Sequence, residues 1–489
     1  MRFLALILIF LVGCSSPKRA PDTTSGQKPA GVPDRLPDQD RPPIKDSIPG
    51  FVRFDQQEEV MLEALNGLSE FDRLQTRFIM CSDQFNADGI DAVKGCKDGV
   101  TKALNSISQE ISLDEPKAIG PASSIMQVNL KDFGLTPSKW RLIEAADPFK
   151  FTSETVRGKT LQFLTQTVRP FINGSNFAET ALVKAYYGIE EVPVSFKAFQ
   201  ASIGVNLQQD FDNRDSDLVV FGMNESVIAA NRQYRLIVRA KGTFGALWCT
   251  QDTNDVAQAP VNIEGQLVNL KNVLEAPFPL EARSKKTAVS DAGECIYVKK
   301  NGMLGFALFN AAGIRQDFAP TNIVQDTASA SRGLSSTITN ARACYRCHAT
   351  GFIPLKDSIG PHIAANTGFN AIDKQLGRLF FKPAAVGAAF FKKDNADYAK
   401  AQADIQVDNP TEDSVNALTD KLRLEQDINQ VAGMLGITAE ELRVGLQSST
   451  DASGVIGTLL QPSGKVNLQA LIDGLPILIK DMNLFKDDQ

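Results

Sequence analysis

The stretch ACYRCHATGF, residues Ala343 to Phe352, places two cysteines three positions apart with a histidine directly after the second. That histidine, His348, is one of only two in a chain of 489 residues. Side chains three residues apart lie on the same side of a helix, so Cys344 and Cys347 are expected on a single helical turn. The stretch therefore predicts a short helix in the C-terminal third of the chain.

The chemistry of the CxxCH pattern is that of covalent haem attachment. Thiols at Cys344 and Cys347 can add to the two vinyl groups on one edge of a porphyrin, and His348 then supplies the proximal iron ligand. One such pattern predicts one haem c. Pro354 and Pro361 are candidates to offer the carbonyl that orients the ring of His348. A redox-active CxxC pair and half of a zinc site are the competing interpretations.

The ligand on the opposite side of the iron is less determined by the sequence. His362, in GPHIAANTGF, is the only other histidine and is the first candidate for the distal ligand. Met434, in QVAGMLGI, is the second, since His/Met ligation is common in cytochromes c. Met126, Met303 and an open sixth position remain as further alternatives.

The first residues of the chain, MRFLALILIFLVGCSSPK, indicate export. Residues 1–13 combine one basic residue with an apolar run that is too short to span a bilayer, as in a secretory signal peptide. Cys14 follows a small residue, the pattern of a lipidated cysteine in bacterial lipoproteins. The serine after it favours the outer membrane. Residues 14–50, rich in Pro, Asp and Lys, predict a disordered tether behind a palmitate-type lipid anchor.

The cysteine count agrees with an oxidising compartment. Of seven cysteines, Cys14 is assigned to lipid and two to haem, which leaves an even number. The remaining four allow three pairings, of which Cys81 with Cys96 and Cys249 with Cys295 is the most economical. Four buried thiols are the alternative.

Charge and histidine content argue against nucleic-acid binding and against Ser-His-Asp hydrolysis. With 51 basic and 57 acidic residues and no basic block, the chain gives no indication of nucleic-acid binding. Two histidines, both in the haem region, exclude a Ser-His-Asp hydrolase elsewhere in the chain. Any catalysis would have to occur at the haem or use carboxylates alone.

The segment from 51 to 150 predicts helices. Apolar residues at three- and four-residue steps predict one helix from Asp55 through FIM at 78–80, and a second over 98–113. A Cys81–Cys96 bridge would then join the ends of a helical hairpin. LTPSKWRL predicts a further helix with Thr136 as cap, Pro137 in the first turn and Trp140 packed inward.

The remainder divides into a β-rich and a helical part, so the fold class is α+β and multidomain. Residues 151–335 form the predicted β-rich domain, with Asn301-Gly302 as a hairpin signal. Its strand candidates, from about residue 215 on, are DLVVFGM, YRLIVRA, FGALWCT, ECIYVKK and GFALFNA. Residues 336–489 form the predicted helical c-type haem domain, with a capping box at Thr438 and Glu441.

Four blocks of the chain resemble a poorly characterised family of large exported, lipoprotein-type monohaem cytochrome-like proteins. The blocks are NLKDFGLTPSKWRLIEAADPF, NESVIAANRQYRLIVRAKGTFGALW, GECIYVKKNGMLGFALFNAAGIR and ARACYRCHATGFIPLKDSIGPHI. The resemblance implies that the haem motif follows a β-rich region and precedes a helical tail. It also implies haem roles for Cys344, Cys347 and His348, and it strengthens His362 as a ligand. The family has no settled activity.

Three functions are compatible with these patterns. The leading one is a non-enzymatic electron carrier, held at the outer membrane by its lipid and facing the periplasm or the cell surface, with a redox protein as its partner. The second is a ligand-binding or peroxidase-like haem protein with an open sixth position. The third is a surface recognition or assembly protein in which haem is structural.

Overall fold

The computed structural model describes residues 50–223, 233–254, 291–322, 324–407 and 413–487. The predicted signal peptide, Cys14 and all but the last residue of the predicted tether lie outside these ranges. Within them the fold is mixed α+β with antiparallel sheets, as the sequence predicted at that level. None of the described helices combines the length and the apolar character needed to cross a membrane.

The first segment differs from its prediction as one long helix. The run from Asp55 to Met80 divides into α1 (Phe54–Asn66), α2 (Glu70–Gln75) and β1 (Thr76–Met80). Gly67 follows the last residue of α1, and glycine lowers the helix propensity of the sequence there. All five residues of β1 are buried, so tertiary packing decides its conformation.

The four-stranded sheet explains why β1 is a strand. β1 pairs antiparallel with β3 (Ile125–Asn129) and parallel with β4 (Phe171–Asn173), while β2 (Lys117–Ile119) lies beyond β3. The partners of β1 lie 45 residues or more downstream, beyond the range of a local sequence pattern.

The first disulfide joins two consecutive helices, α3 (Ser82–Asp88) and α4 (Ile90–Ile107). Cys81 and Cys96 are bonded as the sequence predicted. Their setting differs, because Cys81 follows a strand and Cys96 lies inside α4 rather than ahead of it. Gly89 turns the chain between the two helices with φ of 88°, a value that favours glycine.

Further helices lie along the chain between α4 and the first strand of the second, six-stranded sheet. In α5 (Pro137–Ala146), Thr136 accepts a hydrogen bond from the backbone N–H of Lys139, and Trp140 is buried, which confirms the predicted cap and inward packing. The helices that follow are α6 (Val156–Thr165), α7 (Gly174–Glu179), α8 (Tyr186–Glu190), α9 (Phe196–Ser202) and α10 (Leu207–Asp212).

The six-stranded sheet is antiparallel throughout, in the order β10-β9-β8-β7-β6-β5. Its strands are β5 (Val219–Met223), β6 (Gln233–Lys241), β7 (Ala246–Asn254), β8 (Ala292–Val298), β9 (Leu304–Asn310) and β10 (Arg315–Gln316). The predicted hairpin at Asn301-Gly302 joins β8 to β9, and Gly302 has φ of 82°. Cys249 and Cys295 are directly opposite residues of β7 and β8, and they form the second predicted disulfide.

The two faces of this sheet carry different side chains because residues alternate along each strand. Phe309 contacts Phe196 and Phe199 of α9, so helices from the first half of the chain cover this face. The opposite face carries Trp248 and Phe306, whose contacts are with residues that follow the sheet in the chain. We call this second surface the motif face.

The last third of the described chain is helical. Its helices are α11 (Thr327–Ala330), α12 (Arg342–Cys347), α13 (Ile359–Ala365), α14 (Ala371–Phe380), α15 (Ala384–Asp404), α16 (Ser414–Arg423), α17 (Ile428–Leu435), α18 (Ala439–Ser448), α19 (Thr450–Ile456) and α20 (Leu468–Asp481). The predicted capping box is confirmed, since Thr438 and Glu441 exchange hydrogen bonds at the start of α18.

Two large cores hold these layers together. The larger one contains buried side chains from Val52 to Leu418 and draws on both faces of the six-stranded sheet. The second is built mainly from α17 to α20, and Phe149 reaches it from the end of α5. The predicted domain boundaries at residues 150 and 335 stay predictions; the larger core includes residues on both sides of each.

Removal of the disulfides provides a first test of this architecture. The Cys249–Cys295 bridge spans 46 residues and the Cys81–Cys96 bridge 15. Because a longer closed loop loses more entropy in the unfolded chain, we expect paired Cys→Ala replacement to lower the free energy of unfolding by roughly 4 kcal/mol for the first and roughly 3 kcal/mol for the second. Denaturant titration of both variants measures the difference, and an inverted order contradicts the prediction.

Candidate haem attachment site

The motif helix α12 begins at an unusual turn. Its N-cap residue, Ala341, has φ of 57° and ψ of −63°. The backbone N–H of Arg342 donates to the carbonyl of Asn340 at 2.8 Å, which closes a γ-turn over Ala341. This form of γ-turn is rare and strained for a residue with a side chain, so surrounding contacts must hold it.

Tyr345, the first residue between the two cysteines, fixes one side of the helix. Its side chain is fully buried, and its hydroxyl donates to the carbonyl of Leu304 at 3.1 Å. Its ring meets that of Phe306 edge to face, with centroids 4.8 Å apart. Leu304 and Phe306 both belong to β9, so Tyr345 attaches the motif helix to the six-stranded sheet.

Side chains replace a neighbouring strand along much of β9. β10 pairs with only two residues of β9, Phe309 and Leu308. The hydroxyl of Tyr187 accepts from the backbone N–H of Leu308 within this short pairing, and the hydroxyl of Tyr186 accepts from that of Phe306 beyond it, each at 3.0 Å. These bonds satisfy backbone groups that an unpaired strand would otherwise leave without hydrogen-bond partners. Tyr345 likewise satisfies the carbonyl of Leu304 by donating to it.

A buried lysine lies beneath Tyr345. The ammonium nitrogen of Lys102, on α4, lies 5.5 Å from the ring centroid of Tyr345 and 5.6 Å from that of Tyr398. It donates to Asp413 at 2.6 Å and to Gln402 at 2.7 Å. Burial lowers the pKa of Lys102, and the carboxylate of Asp413 opposes that shift. Three segments of the chain, α4, α15 and the start of α16, therefore meet under the motif helix.

Arg346, the second residue between the cysteines, binds a different part of the protein. It donates to Asp420 of α16 at 2.7 Å and lies 3.3 Å from a carboxylate oxygen of Asp326. Arg332 donates to the other oxygen of Asp420 at 2.9 Å. Two guanidinium groups and two carboxylates thus balance one another beside the motif helix.

The two cysteines of the motif take part in neither disulfide. Among the described residues, the cysteines outside disulfides are Cys344, which is half-buried, and Cys347, which is exposed. Desolvation raises the pKa of Cys344 well above its usual range, and the carboxylate of Glu294 adds to the shift. Redox-active CxxC pairs instead have lowered thiol pKa values. The electrostatics disfavour that competing interpretation.

His348 is oriented by the backbone of its own loop. Its Nδ1 lies 2.9 Å from the carbonyl oxygen of Gly351. A carbonyl can only accept, so Nδ1 carries the proton and Nε2 keeps its lone pair. Gly351 therefore fills the role that the sequence suggested for Pro354 or Pro361. Burial lowers the pKa of His348 to about 4, which keeps the imidazole neutral at pH 7.

This donor set fits the group that the sequence predicts. Covalent haem requires two thiols on one helical turn and a neutral imidazole with one nitrogen available for iron. Cys344 and Cys347 lie on α12, and His348 follows its last residue. The hydrogen bond to Gly351 is the kind of contact that fixes the tautomer of a metal-binding histidine.

The first distal candidate, His362, lies on α13 and is exposed. Its Nε2 lies 3.3 Å from the amide nitrogen of Asn366, and its ring meets Phe369 edge to face. The helix packs against α14 and β5, whereas α12 packs against α16. The described contacts do not bring His362 to the motif helix, and its ligand role stays a prediction.

The methionine candidates lie in other surroundings. Met434 is buried in the second core and lines a partly open pocket of about 30 Å³ together with Asp83 and Lys421. Met126 packs against the first disulfide, its sulfur 3.9 Å from that of Cys81. Met303 is fully buried in the hairpin between β8 and β9. Ligation by a methionine likewise stays a prediction.

Sequence reasoning missed an aromatic contact made by Phe352, which follows the motif in the chain. Phe352 packs against Trp248 of the sheet, with ring centroids 5.4 Å apart. The indole N–H of Trp248 donates to Asp394 at 2.8 Å, and Arg239 binds the same carboxylate with two hydrogen bonds. The sequence carried one signal of this contact, because Arg239 and Trp248 lie in neighbouring strand candidates. In the structure they are direct cross-strand partners on the motif face.

A buried charge cluster on the motif face was missed as well. Arg235, Asp252 and Glu294 come from the three adjacent strands β6, β7 and β8. Charged residues in otherwise apolar strand candidates were the available signal. Nothing in the sequence alone places the cluster near the cysteines.

Comparison with known proteins adds no relative: no family model, no curated protein and no solved structure matches the chain.

The buried pair beneath the motif can be tested by substitution. Lys102→Met leaves the carboxylate of Asp413 buried without its cation, and we expect a loss of about 3–5 kcal/mol in the free energy of unfolding. Asp413 also caps α16. Asparagine retains this capping ability without the charge, so adding Asp413→Asn should restore a large part of the loss. A denaturant-unfolding double-mutant cycle measures the coupling, and strictly additive losses contradict it.

Proposed function

We propose that this protein is an outer-membrane-anchored c-type monohaem cytochrome that transfers electrons in the periplasm or at the cell surface. In this proposal Cys14 carries the lipid anchor, and the folded residues carry one covalent haem. The protein acts as an electron carrier for a redox partner protein rather than as an enzyme.

One observation carries the proposal. Of the six cysteines in the described chain, four are paired in disulfides and the two thiols left lie on one turn of α12. His348 follows with Nδ1 bonded to Gly351, so Nε2 is available for iron. Cysteines left unpaired in an oxidising compartment call for a chemical reason, and thioether attachment supplies it.

The haem would supply a one-electron couple, and the chain's own residues would hold it. Cys344 and Cys347 form the thioethers, and His348 gives the proximal ligand. Tyr345 and Arg346 face the sheet and α16 respectively, so the helix is fixed from the positions between the cysteines. Cys347 is exposed, so a porphyrin attached there would have one edge near the surface, where a partner protein could approach it.

A second candidate function is favoured by the positions of the distal candidates. His362 is exposed and bonded to Asn366, and Met434 is buried in the second core. With neither side chain in described contact with α12, an open sixth position suits a ligand-binding or peroxidase-like haem protein. Whether a protein side chain occupies the sixth coordination position of the iron separates the two functions.

Covalent attachment is tested with cysteine variants of the protein exported in a bacterium that matures c-type cytochromes. We expect the wild-type polypeptide to keep one haem after denaturation, by mass and by haem staining. The double variant Cys344→Ala, Cys347→Ala should lose it completely. A matched control, Cys249→Ala with Cys295→Ala, removes two cysteines elsewhere and should keep the haem. Wild-type protein without covalent haem refutes the proposal.

Optical spectra test the distal ligand. For an electron carrier with His362 on the iron, we expect a low-spin ferric spectrum that becomes high-spin in His362→Ala. Met434→Leu, the matched variant for the second candidate, should leave that spectrum unchanged. A high-spin wild-type spectrum, with carbon monoxide binding after reduction, instead supports the open-site function.

A further inference from the structure

Among the described residues, the charge cluster on the motif face holds two carboxylates and one guanidinium. Arg235 binds Asp252 through two hydrogen bonds, from Nε at 2.7 Å and from Nη2 at 2.9 Å. Glu294 reaches the same guanidinium only through Oε2, at 3.7 Å from Nη2. One arginine thus faces two carboxylates, and Asp252 holds the better geometry.

The other oxygen of Glu294, Oε1, is a buried atom, although the side chain as a whole is 21% exposed. Within the described residues Oε1 has no hydrogen-bond partner. Burying an ionised oxygen in this way is costly, whereas a protonated carboxyl removes the unbalanced charge. Burial accordingly raises the pKa of Glu294 to about 7; the neighbouring Arg235 lowers it and Asp252 raises it further.

Glu294 lies next to the motif helix. Its cross-strand partner on β9 is Leu308. Leu308 and Ala292, the latter two positions before Glu294 on the same face of β8, pack in one apolar cluster with Ala343 of α12. The carboxylate of Glu294 also contributes to the raised pKa values of Cys344 and Cys347, which places it in the neighbourhood of both side chains.

We propose that Glu294 binds a proton when the haem site gains an electron and releases it when the electron leaves, so that electron transfer here is proton-coupled. The inference rests on the proposed function. The electron would come from a one-electron reductant and would be held by the haem, which supplies the one-electron couple. The proton would come from a hydronium ion of the solvent, which leaves water, and would form one O–H bond on the carboxylate of Glu294. Oxidation reverses both steps.

The other charged groups near the motif are paired. On α12, Arg346 is shared by Asp326 and Asp420, and Arg332 completes a balanced set of four. On β6 and β7, Arg235 and Asp252 form a bidentate pair, and Asp291 next to β8 acts on that pair electrostatically. His348 is neutral and bonded to Gly351. Arg342 of α12 lies 3.9 Å from Glu179, whose Oε2 also has no hydrogen-bond partner, but Arg423 donates to the other oxygen of Glu179 at 2.9 Å. Among these described groups, Glu294 is the carboxylate that faces a guanidinium already bound by another carboxylate.

Spectroscopic redox titration over a series of pH values tests the proposal on the purified holoprotein. An added electron favours protonation of a nearby carboxylate, so we expect the reduction potential to fall as pH rises through neutrality. One proton per electron sets the limit at a tenfold change in the oxidised-to-reduced ratio per pH unit, or about 59 mV. Glu294→Gln should abolish the dependence, and Glu294→Asp should retain it.

Two controls make the outcome specific. Asp397→Asn removes an exposed carboxylate of a surface ion pair and should keep the wild-type dependence. Infrared difference spectra between the oxidised and reduced wild-type protein should show a protonated carboxyl band that grows on reduction, and this measurement does not depend on folding of a variant. A potential independent of pH in the wild type, or a dependence that survives Glu294→Gln, overturns the proposal while covalent haem still stands. Absence of covalent haem overturns both.

Discussion

The bond from the Tyr345 hydroxyl to the carbonyl of Leu304 is the contact on which the motif depends. A helix of six residues such as α12 has no stability of its own, because the nucleation cost is not recovered over so short a length. Its position must come from tertiary contacts. Tyr345 supplies one of them at β9, Arg346 supplies another at Asp420, and together they permit the strained turn at Ala341.

Charge balance distinguishes the matched ion pairs near the motif from the cluster around Glu294. Lys102 with Asp413 and Arg346 with Asp420 are matched pairs, and each fixes one segment against another. Buried pairs of this kind give geometric specificity more than net stability. Glu294 is the exception, since its cluster holds two carboxylates for one guanidinium. An unbalanced buried charge changes its protonation when a neighbouring charge changes.

Local signals in the sequence predicted the local structure. Thr136, the Asn301-Gly302 turn and the box at Thr438 act within four residues, and all three have the predicted roles. The even number of leftover cysteines predicted both disulfides. The strand β1 was missed because its sequence also fits a helical pattern, and its strand conformation depends on partners 45 or more residues downstream.

The candidate site also combines features that local sequence determines with features that depend on contacts between distant segments. Spacing alone identified Cys344, Cys347 and His348, but the carbonyl that orients His348 belongs to Gly351, because the chain turns back directly after the helix. The distal candidates and the cluster around Glu294 depend on how distant segments pack, which no local pattern encodes.

The length of the chain follows from how the motif is held. A small electron carrier needs far fewer residues, which favours a separate role for the part outside the haem region. Yet the motif helix takes its supports from every part of the chain: Lys102 from α4, Leu304 from the sheet and Asp420 from α16. These residues are about 320 positions apart at the extremes and meet around one short helix. The sheet and the N-terminal helices therefore support the motif helix, and their presence does not by itself require a function separate from that of the motif.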